Sequence, residues 1–293
     1  MMSSRLENLQ QFGRVLEVSE AEEPILSHPV RGALMDWLTE IWAKKELAAV
    51  NLKPRRKALI DGPPGVGKTT LAHHLAARLG LRMLAVRTEG IKSKYVSETG
   101  EKIGNLFNIL ERTDKPIVLF FDEFDALAPK RDAVRQSADR ESNNSVNTLL
   151  QRIEQYDGYM IAATNHADRI DPAIWRRFEL QITLEMPGHE ERERILERYL
   201  KPFVLPKTEL AHMAEAFEDA SPALIRSFCE GLRRQMAIGP KAKWTMDRDS
   251  VVSRLVTSIK PHPELDLPPL WNARGSHPAI SKLTWPLTIP EAA

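Results

Sequence analysis

Short apolar runs alternate with longer amphipathic stretches along this chain. The first run, KALID, ends at Asp61, and others follow at LRMLAV (81–86), PIVLFFD (116–122) and YMIAATN (159–165). We interpret the runs as buried strands and the stretches between them as helices. Strands that alternate with helices form a parallel sheet with helices on both faces. The pattern therefore predicts an α/β fold.

Helical periodicity precedes and follows this alternation. From His28 to about Ala49, apolar residues recur at the spacing of one helix face, namely Leu34, Trp37, Leu38, Ile41 and Trp42. After the segment MPGHEERERIL the strands stop, and the pattern stays helical to about Lys260. We expect a short N-terminal extension, a large α/β domain and a small all-α domain, over residues 1–29, 30–186 and 187–260.

The C-terminal segment, residues 261–293, is rich in proline and carries Trp271 and Trp285. Proline prevents long helices in such a segment. Its tryptophan, leucine and isoleucine side chains are nevertheless unlike those of a free linker. Two interpretations stay open at this point: the segment packs along this molecule, or it docks on another one.

Composition narrows the class of protein. The 293 residues include 41 basic and 40 acidic side chains, so a formal charge of +1 gives no overall attraction to nucleic acid or membranes. The single Cys229 excludes an intramolecular disulfide framework and is expected to be a buried helix residue. No apolar run approaches the roughly 18 residues of a membrane span, and the start lacks the apolar core of a signal peptide. We expect a cytoplasmic protein.

A glycine-rich turn follows the first strand and precedes a helix. Its sequence GPPGVGKT fits the phosphate-loop pattern G-x-x-x-x-G-K-[ST]. In this pattern backbone N–H groups converge on the phosphates of a nucleotide, and the helix dipole adds positive charge. The lysine reaches phosphate oxygens, and the threonine hydroxyl binds Mg²⁺. The predicted nucleotide site comprises Gly62, Pro63, Pro64, Gly65, Val66, Gly67, Lys68, Thr69 and Thr70.

The strand PIVLFFD ends in an acidic pair, Asp122 and Glu123, about fifty residues after the phosphate loop. Alone, such a pair would be interpreted as a solvated strand end. Beside a phosphate loop, the first carboxylate is expected to hold Mg²⁺ together with Thr69, and the second to polarise the attacking water. Asn165, at the end of YMIAATN, is the candidate for positioning the same water.

Phosphoryl transfer also needs positive charge on the developing transition state, more than one phosphate loop supplies. The segment DPAIWRRFEL offers Arg176 and Arg177 for this role. Without the other motifs, the two arginines would be interpreted as a surface pair that binds a carboxylate. The neighbouring His73 and His74 point about 100° apart on a helix, so we do not expect them to bind one metal ion.

The order of these motifs resembles the AAA ATPases with the second region of homology, and among them katanin, spastin and the endosomal-sorting disassembly ATPase. The resemblance covers roughly residues 28–240 and rests on GPPGVGKTT, KYVSETGEKIGNLF, LFFDEFDAL, AATN and DPAIWRRFE in that order. It implies a P-loop NTPase sheet followed by a helical lid domain, with ATP and Mg²⁺ as the bound groups. It also implies a ring or spiral hexamer in which Arg176 and Arg177 act on the ATP of a neighbouring copy.

The resemblance further implies a loop that faces a central pore. Lys94, Tyr95 and Val96 match the position of that loop, although its usual glycine is replaced by Ser97 or displaced. An aromatic ring at a pore can grip a polypeptide without reading its sequence. The alternative is that Tyr95 packs under a neighbouring helix.

The lid domain shows another departure from the wider family. Many relatives place there an arginine called sensor 2, whereas this chain has Ala223, with Arg226 one helical turn further on. Lack of the arginine is usual in the resembled group. Whether Arg226 substitutes for it is left open.

Three functions follow from these features. The leading one is an ATP-driven remodeller, a homo-hexamer that threads a polypeptide substrate through its pore. The second is a DNA-directed ATPase of the helicase-loader or transposition-regulator type, against which stand the low net charge and the aromatic pore residue. The third is a nucleotide-switched scaffold whose C-terminal segment recruits a partner enzyme. Because fewer than 30 residues precede the ATPase module, substrate choice is expected to come from the N-terminus, the C-terminal segment or an adaptor.

Overall fold

The computed structural model describes residues 9–91, 96–113, 115–129 and 137–289. The chain forms two compact units. The first, here called the sheet unit, comprises residues up to Pro24 together with 29–62 and 68–184. The second, here called the helical unit, comprises residues 25–28, 63–67 and 185 onward. The domain boundaries expected from the sequence stay predictions.

A six-stranded sheet forms the centre of the sheet unit. Its order is β1-β3-β4-β5-β2-β6, and all neighbours are parallel except β1 and β3. Strands β4 and β5 are buried along their whole length, as expected for parallel strands covered on both faces. This confirms the predicted α/β fold. The strands are β1 (Gly13–Leu16), β2 (Lys57–Asp61), β3 (Met83–Val86), β4 (Val118–Phe121), β5 (Met160–Thr164) and β6 (Leu180–Thr183).

Two of these strands, β1 and β6, were not predicted from the sequence. Both are edge strands of four residues, and both expose part of their side chains. Their sequences, GRVL and LQIT, therefore lack the continuous apolar run by which the inner strands were recognised. Residues before β1 also join the core, because Leu9 and Phe12 are buried in the same cluster as the sheet.

The helices of the sheet unit are α1 (His28–Trp42), α2 (Lys44–Ala49), α3 (Lys68–Arg78), α4 (Thr88–Ile91), α5 (Val96–Glu111), α6 (Ser137–Gln155) and α7 (Pro172–Trp175). The single helix expected up to Ala49 is in fact two, because Ala43 leaves the helical conformation with ψ of 30°. The assignment of Trp42 to the buried face was also wrong, since this residue is 52% exposed. Trp42 lies one turn after the buried Leu38, but it is the last residue of α1, and its exposure coincides with the point where the chain leaves the helix.

The helical unit contains α8 (His189–Leu200), α9 (Lys207–Ala216), α10 (Pro222–Ile238), α11 (Arg248–Ser258), α12 (Pro269–Asn272) and α13 (Pro278–Ser281). Polar caps set where its longer helices begin. Ser221 and Asp247 accept hydrogen bonds from backbone N–H groups in the first turns of α10 and α11. Cys229 lies fully buried on α10, as predicted, and burial raises the pKa of its thiol.

The C-terminal segment packs into the core of the helical unit, so the first of the two interpretations is confirmed. Trp271 lies edge-on to Phe217 and Phe228, and its indole N–H donates to the Ile259 carbonyl at 2.7 Å. The Trp285 N–H donates to the Met246 carbonyl at 2.8 Å. Several apolar residues of the segment are buried beside them: Leu270, Ala279, Ile280, Leu283 and Leu287. In the described part of the chain, no helix has both the length and the apolar character of a membrane span.

Candidate nucleotide-binding site

Three neighbouring parallel strands, β4, β5 and β2, bring most of the predicted site residues to one edge of the sheet. The carboxyl ends of these strands lead into Asp122, Asn165 and the glycine-rich turn. Parallel α/β sheets characteristically bind ligands at this edge. Each of these three strands therefore contributes one part of the candidate site.

The phosphate loop leaves β2 in a conformation that requires glycine at its first position. Gly62 has φ of 146°, and a Cβ atom there would overlap the carbonyl oxygen of Leu184. Gly65 and Gly67 also have positive φ, so the loop turns sharply before α3 begins at Lys68. The sequence pattern thus corresponds to a real backbone turn between strand and helix.

Lys68 is buried at the start of α3, with only 7% of its surface exposed. Its ammonium group donates to the Gly62 carbonyl at 2.7 Å and to Asn165 Oδ1 at 2.5 Å. Burial lowers the pKa of Lys68, and the nearby carboxylates of Asp122 and Asp61 oppose that shift. The loop, the helix start and the end of β5 are thus linked through one cation.

The predicted magnesium ligands lie side by side. Thr69 Oγ1 donates to Asp122 Oδ2 at 2.8 Å. Asp122 is held by two further bonds, because its Oδ1 accepts from the Glu123 N–H at 3.0 Å and its carbonyl accepts from Thr88 Oγ1 at 3.1 Å. Hydroxyl and carboxylate oxygens are the ligands that Mg²⁺ prefers in proteins. This donor set therefore fits Mg²⁺.

Glu123 follows in an unusual backbone conformation. Its φ and ψ are 49° and 48°, which is the left-handed region that non-glycine residues rarely adopt. Such strained residues are found preferentially at functional sites. The side chain of Glu123 is exposed, so its carboxylate is accessible to water at the edge of the sheet.

A hydrogen-bonded pair that sequence reasoning missed lies beside Asn165. The fully buried Thr164 donates from Oγ1 to Asp125 Oδ1 at 2.6 Å, and the same oxygen accepts from the His166 N–H at 2.9 Å. These bonds fix the backbone on both sides of Asn165. The available signal was an acid two positions after Glu123 and a hydroxyl residue directly before the asparagine.

The two candidate arginines have different surroundings. Arg176 is exposed, whereas Arg177 is half-buried and donates to the Ala173 carbonyl at 2.9 Å. Arg177 also lies 3.5 Å from a carboxylate oxygen of Glu154. In the part of the chain that the structure describes, neither arginine forms a hydrogen bond or ion pair with Asp122.

In the helical unit, the start of α10 contacts a residue of the phosphate loop. The Ala223 N–H donates to the Gly65 carbonyl at 3.1 Å, so the residue at the sensor 2 position contacts the loop through its backbone. Arg226 donates to Glu230 Oε1 at 2.8 Å, and its guanidinium lies 5.1 Å from the centre of the Tyr199 ring. Arg226 is therefore engaged with residues of its own unit.

The pore-loop residues and the two histidines of α3 are the remaining candidates. Lys94 and Tyr95 lie outside the described residues, and Val96 begins α5. His73 is buried on α3, with its Nε2 2.8 Å from the Glu17 carbonyl oxygen, and burial lowers the pKa of His74. These environments agree with structural roles for both histidines.

Comparison with known proteins places this geometry in a family. Residues 58–186 match the model of the ATPase family associated with various cellular activities, AAA. The chain carries an AAA domain. Relatives include the 26S proteasome regulatory subunit 10B homolog A of Arabidopsis thaliana, which is 31% identical over 70% of this chain and 55% of its own length. The proteasome-activating nucleotidase 1 of Haloferax volcanii is 30% identical over 74% of this chain and 56% of its own length.

The match to a bacterial relative covers a larger share of that relative's length. The uncharacterized AAA family ATPase y4kL of Sinorhizobium fredii is 36% identical over 74% of this chain and 64% of that protein. The chain spans about half the length of the two proteasomal relatives. The AAA domain and these relatives together indicate an ATP hydrolase, which is the class of enzyme predicted from the motifs.

Proposed function

We propose that the AAA domain hydrolyses Mg-ATP at the sheet edge formed by β4, β5 and β2. The observation that carries this proposal is the pairing of Thr69 with Asp122 at 2.8 Å beside Lys68, which bridges the loop and Asn165. The backbone of Gly62 to Thr70 would hold the phosphates, and Lys68 would exchange its present acceptors for phosphate oxygens. A buried ammonium group interacts strongly with a phosphate because little water screens it.

Thr69 and Asp122 would hold Mg²⁺ through their neighbouring oxygens. When bound, this ion supplies positive charge that offsets the charge of the phosphate groups. The Glu123 N–H holds the Asp122 carboxylate, and Thr88 holds the Asp122 backbone through its carbonyl, so this ligand is largely preorganised. Such preorganisation is a main source of catalytic power at phosphoryl-transfer sites.

Glu123 and Asn165 would act on the attacking water. The exposed carboxylate of Glu123 would accept a proton from that water, and the Asn165 amide would orient it. The strained backbone of Glu123 supports this role, because such strain is found preferentially at functional sites. Asn165 is already positioned by the bonds of Thr164 on either side of it.

Replacement of Glu123 tests the hydrolytic step. In Glu123→Gln, we expect nucleotide binding to persist while turnover falls by about 10²- to 10⁴-fold, the usual contribution of a general base. Binding is measured with a fluorescent ATP analogue and turnover by phosphate release. Glu197→Gln, at an exposed position on α8, is the matched control and should leave both unchanged. Normal turnover by Glu123→Gln would contradict the assignment.

We further propose that the site is completed by an arginine from a neighbouring copy in a ring or spiral hexamer. Arg176 is the better placed of the two, because it is exposed while Arg177 is held by Ala173 and Glu154 of its own chain. Arg177 would then either hold α7 in position or, after releasing Glu154, contact the ATP of the neighbouring copy together with Arg176. Positive charge supplied in this way strongly accelerates phosphoryl transfer.

A mixing experiment tests action between copies. Arg176→Ala cannot supply an arginine to its neighbour but keeps its own Glu123. Glu123→Gln keeps Arg176 but lacks the general base in its own site. Each variant alone should be nearly inactive, whereas a mixture should recover part of the activity, because some intact Glu123 then faces an intact Arg176. If mixing restores nothing while both variants still assemble by sedimentation, the arginine does not act between copies.

For the biological activity, we propose remodelling of a protein substrate by threading through the pore of the hexamer, in the cytoplasm. Two relatives are named as a proteasome regulatory subunit and a proteasome-activating nucleotidase, which supports work on polypeptides. The motif order supports the katanin, spastin and endosomal-sorting subgroup as the more specific assignment. Tyr95 would grip the substrate by apolar contact.

Tyr95 variants test the threading step. A green fluorescent protein with an unstructured tail is the probe, and its loss of fluorescence in the presence of ATP reports unfolding. We expect Tyr95→Ala to keep its ATPase activity and lose unfolding, and Tyr95→Phe to retain both because the ring remains. Unfolding by Tyr95→Ala at the normal rate would contradict threading by this residue.

The C-terminal segment does not favour the alternative of a scaffold that recruits a partner through its tryptophans. Trp271 and Trp285 both contact the core of the helical unit and donate their indole N–H groups there. DNA-stimulated ATPase activity that falls steeply with salt would instead favour the DNA-directed alternative.

A further inference from the structure

A groove of about 870 Å³ lies in the helical unit, where the end of α10 faces α11. Its lining combines apolar and basic side chains: Ile238, Lys243, Trp244, Arg254, Leu255 and Ile259. Two of the apolar residues, Ile238 and Trp244, are 51% and 46% exposed. Large exposed apolar side chains grouped in one concave surface are typical of binding sites.

The turn after α10 fixes the position of Trp244. Gly239 suits this position, because a Cβ atom would lie only 2.7 Å from the backbone carbonyl oxygen of Gln235 and would also displace the Met246 side chain. The Trp244 N–H donates to the Gly239 carbonyl at 3.0 Å, which closes the turn. Arg254 lies 5.8 Å from the centre of the Trp244 ring, close enough for a cation–π interaction. The indole is therefore held in the groove wall by its neighbours.

The basic side chains of this groove are not neutralised by acids in its wall. Arg254 donates to Gln235 Oε1 at 2.9 Å and to the Thr245 carbonyl at 2.8 Å, and both acceptors are uncharged. Lys243 is exposed and forms no ion pair with the residues that the structure describes. A third cation, Arg234, lies 3.3 Å from Glu230, so its charge is partly offset. The groove thus carries net positive charge around an apolar floor.

We propose that this groove binds an acidic segment of a partner polypeptide. A carboxylate of the segment would lie between Lys243 and Arg254, and an adjacent apolar side chain would pack against Trp244 and Ile238. Positive and negative surfaces attract one another at binding interfaces, and a tryptophan in such a surface often contributes much of the affinity. The lining of this partner site shares no residue with the nucleotide site or with the C-terminal segment.

A polypeptide fits these observations better than a nucleic acid does. Nucleic-acid sites depend on several cations that follow a row of phosphates. Here the groove is mainly apolar, and neither Lys243 nor Arg254 forms a salt bridge with the described residues, although the charge of Arg254 also acts on the nearby carboxylate of Asp247. An acidic peptide with a leucine or phenylalanine matches both features at once.

Peptide binding by the full chain tests this inference. The probe is a short fluorescein-labelled peptide of leucine and glutamate, with a leucine and glutamine peptide as its uncharged counterpart. We expect anisotropy to show binding of the acidic peptide that weakens with salt. Lys243→Glu and Trp244→Ala should each reduce the affinity by about tenfold or more, as for central contacts of an interface.

Two control variants preserve the chemistry but lie outside the groove lining. Lys241→Glu changes an exposed lysine two positions away that does not line the groove. Trp42→Ala removes another exposed tryptophan, which lies beside Arg78 on the sheet unit at 6.0 Å. Both should bind the acidic peptide with affinity within about twofold of the unaltered chain.

Several results would overturn the inference. These are no binding by the unaltered chain, equal binding of the two peptides, or equal affinity in the groove and control variants. Displacement of the peptide by a single-stranded oligonucleotide at lower concentration would assign the groove to nucleic acid instead. If Trp244→Ala abolishes self-assembly in sedimentation while Trp42→Ala does not, the groove is a contact between copies of this chain.

Discussion

The candidate site of the sheet unit is built from polar side chains, whereas the core of the helical unit is built around aromatic ones. At the sheet edge, polar groups satisfy one another, as where Lys68 donates to Gly62 and Asn165. In the helical unit, aromatic rings meet in the core, where Trp271 contacts Phe217 and Phe228. Polar clusters contribute little net stability but fix geometry, whereas buried rings contribute mostly stability. Substitutions should therefore separate turnover from folding.

The largest expected effect is on folding and concerns Trp271. Trp271→Ala should lower the free energy of unfolding of the helical unit by about 3–5 kcal/mol, because a buried ring and its contacts are lost. Urea unfolding followed by hydrogen exchange in α9 to α11 measures it. Trp244→Ala is the matched control, since this exposed ring should cost only about 0.5–1 kcal/mol. Equal costs would show that the C-terminal segment is not part of the core.

Lys68 should show the opposite behaviour. Lys68→Met keeps most of the side-chain volume but removes the cation, so turnover should fall by about 10²- to 10³-fold. The free energy of unfolding should change by less than about 1 kcal/mol, because the methionine no longer carries a charge that burial disfavours. Phosphate release and urea unfolding are the two measurements.

A matched control is available on β2. Burial also lowers the pKa of Lys57, a lysine at the opposite end of that strand from the phosphate loop. Lys57→Met should leave turnover within about twofold of normal. Loss of turnover in both variants would mean that turnover depends on any partly buried lysine of the sheet unit. The effect of Lys68→Met would then not be specific to the nucleotide site.

The inner sheet and the phosphate loop were predictable because their signals are local. Strands β2 to β5 are continuous apolar runs, and the loop pattern is contained in eight consecutive residues from Gly62 to Thr69. The edge strands β1 and β6 were missed because some of their side chains are exposed and interrupt that pattern. The hydrophobic pattern of a sequence therefore reveals strands that are buried on both faces more readily than strands that are buried on one face.

Features that depend on contacts across the chain were not predictable. The bond between Asp125 and Thr164 needs β4 and β5 to pair in the register that sets Leu119 opposite Met160. Likewise, a proline-rich composition shows that the C-terminal segment cannot form long helices, but not which surface covers Trp271. The ion pair that distinguishes Arg177 from Arg176 is likewise a tertiary contact, because Glu154 lies far away in the sequence.

The pH dependence of unfolding should also differ between the two units. Burial raises the pKa of Cys229 above its usual value of about 9, so the stability that the neutral thiol provides is complete below pH 9 and is lost as the pH rises further. In the sheet unit, burial raises the pKa of Tyr156 from 10 to about 12, so the stability that its neutral phenol provides is lost mainly above pH 10. The helical unit should weaken first.

Urea unfolding between pH 9 and pH 10 measures this difference. One thiol that ionises only on unfolding lowers the free energy of unfolding by about 1 kcal/mol over this interval, and by about 1.4 kcal/mol per pH unit at higher pH. Cys229→Ala should remove this contribution to the slope, independently of any loss of stability that the substitution causes at neutral pH. Tyr156→Phe should change the slope in this interval much less than Cys229→Ala does, and should have its full effect only above pH 10. A slope that Cys229→Ala does not reduce would contradict this assignment.

The smallest expected effect concerns Asp125, which supports the site without a predicted contact to the nucleotide. Asp125 accepts from Thr164, whose hydroxyl in turn accepts from the His166 N–H, so this carboxylate steadies the backbone that carries Asn165. Asp125→Ala removes the acceptor and should lower kcat by about three- to tenfold with KM nearly unchanged, because orientation of the water suffers more than nucleotide binding. Thr164→Ser keeps the hydroxyl and should retain most of the activity, whereas Thr164→Val should resemble Asp125→Ala. If Thr164→Ser and Thr164→Val lose the same activity, packing of the methyl groups, not the hydrogen bond, positions Asn165.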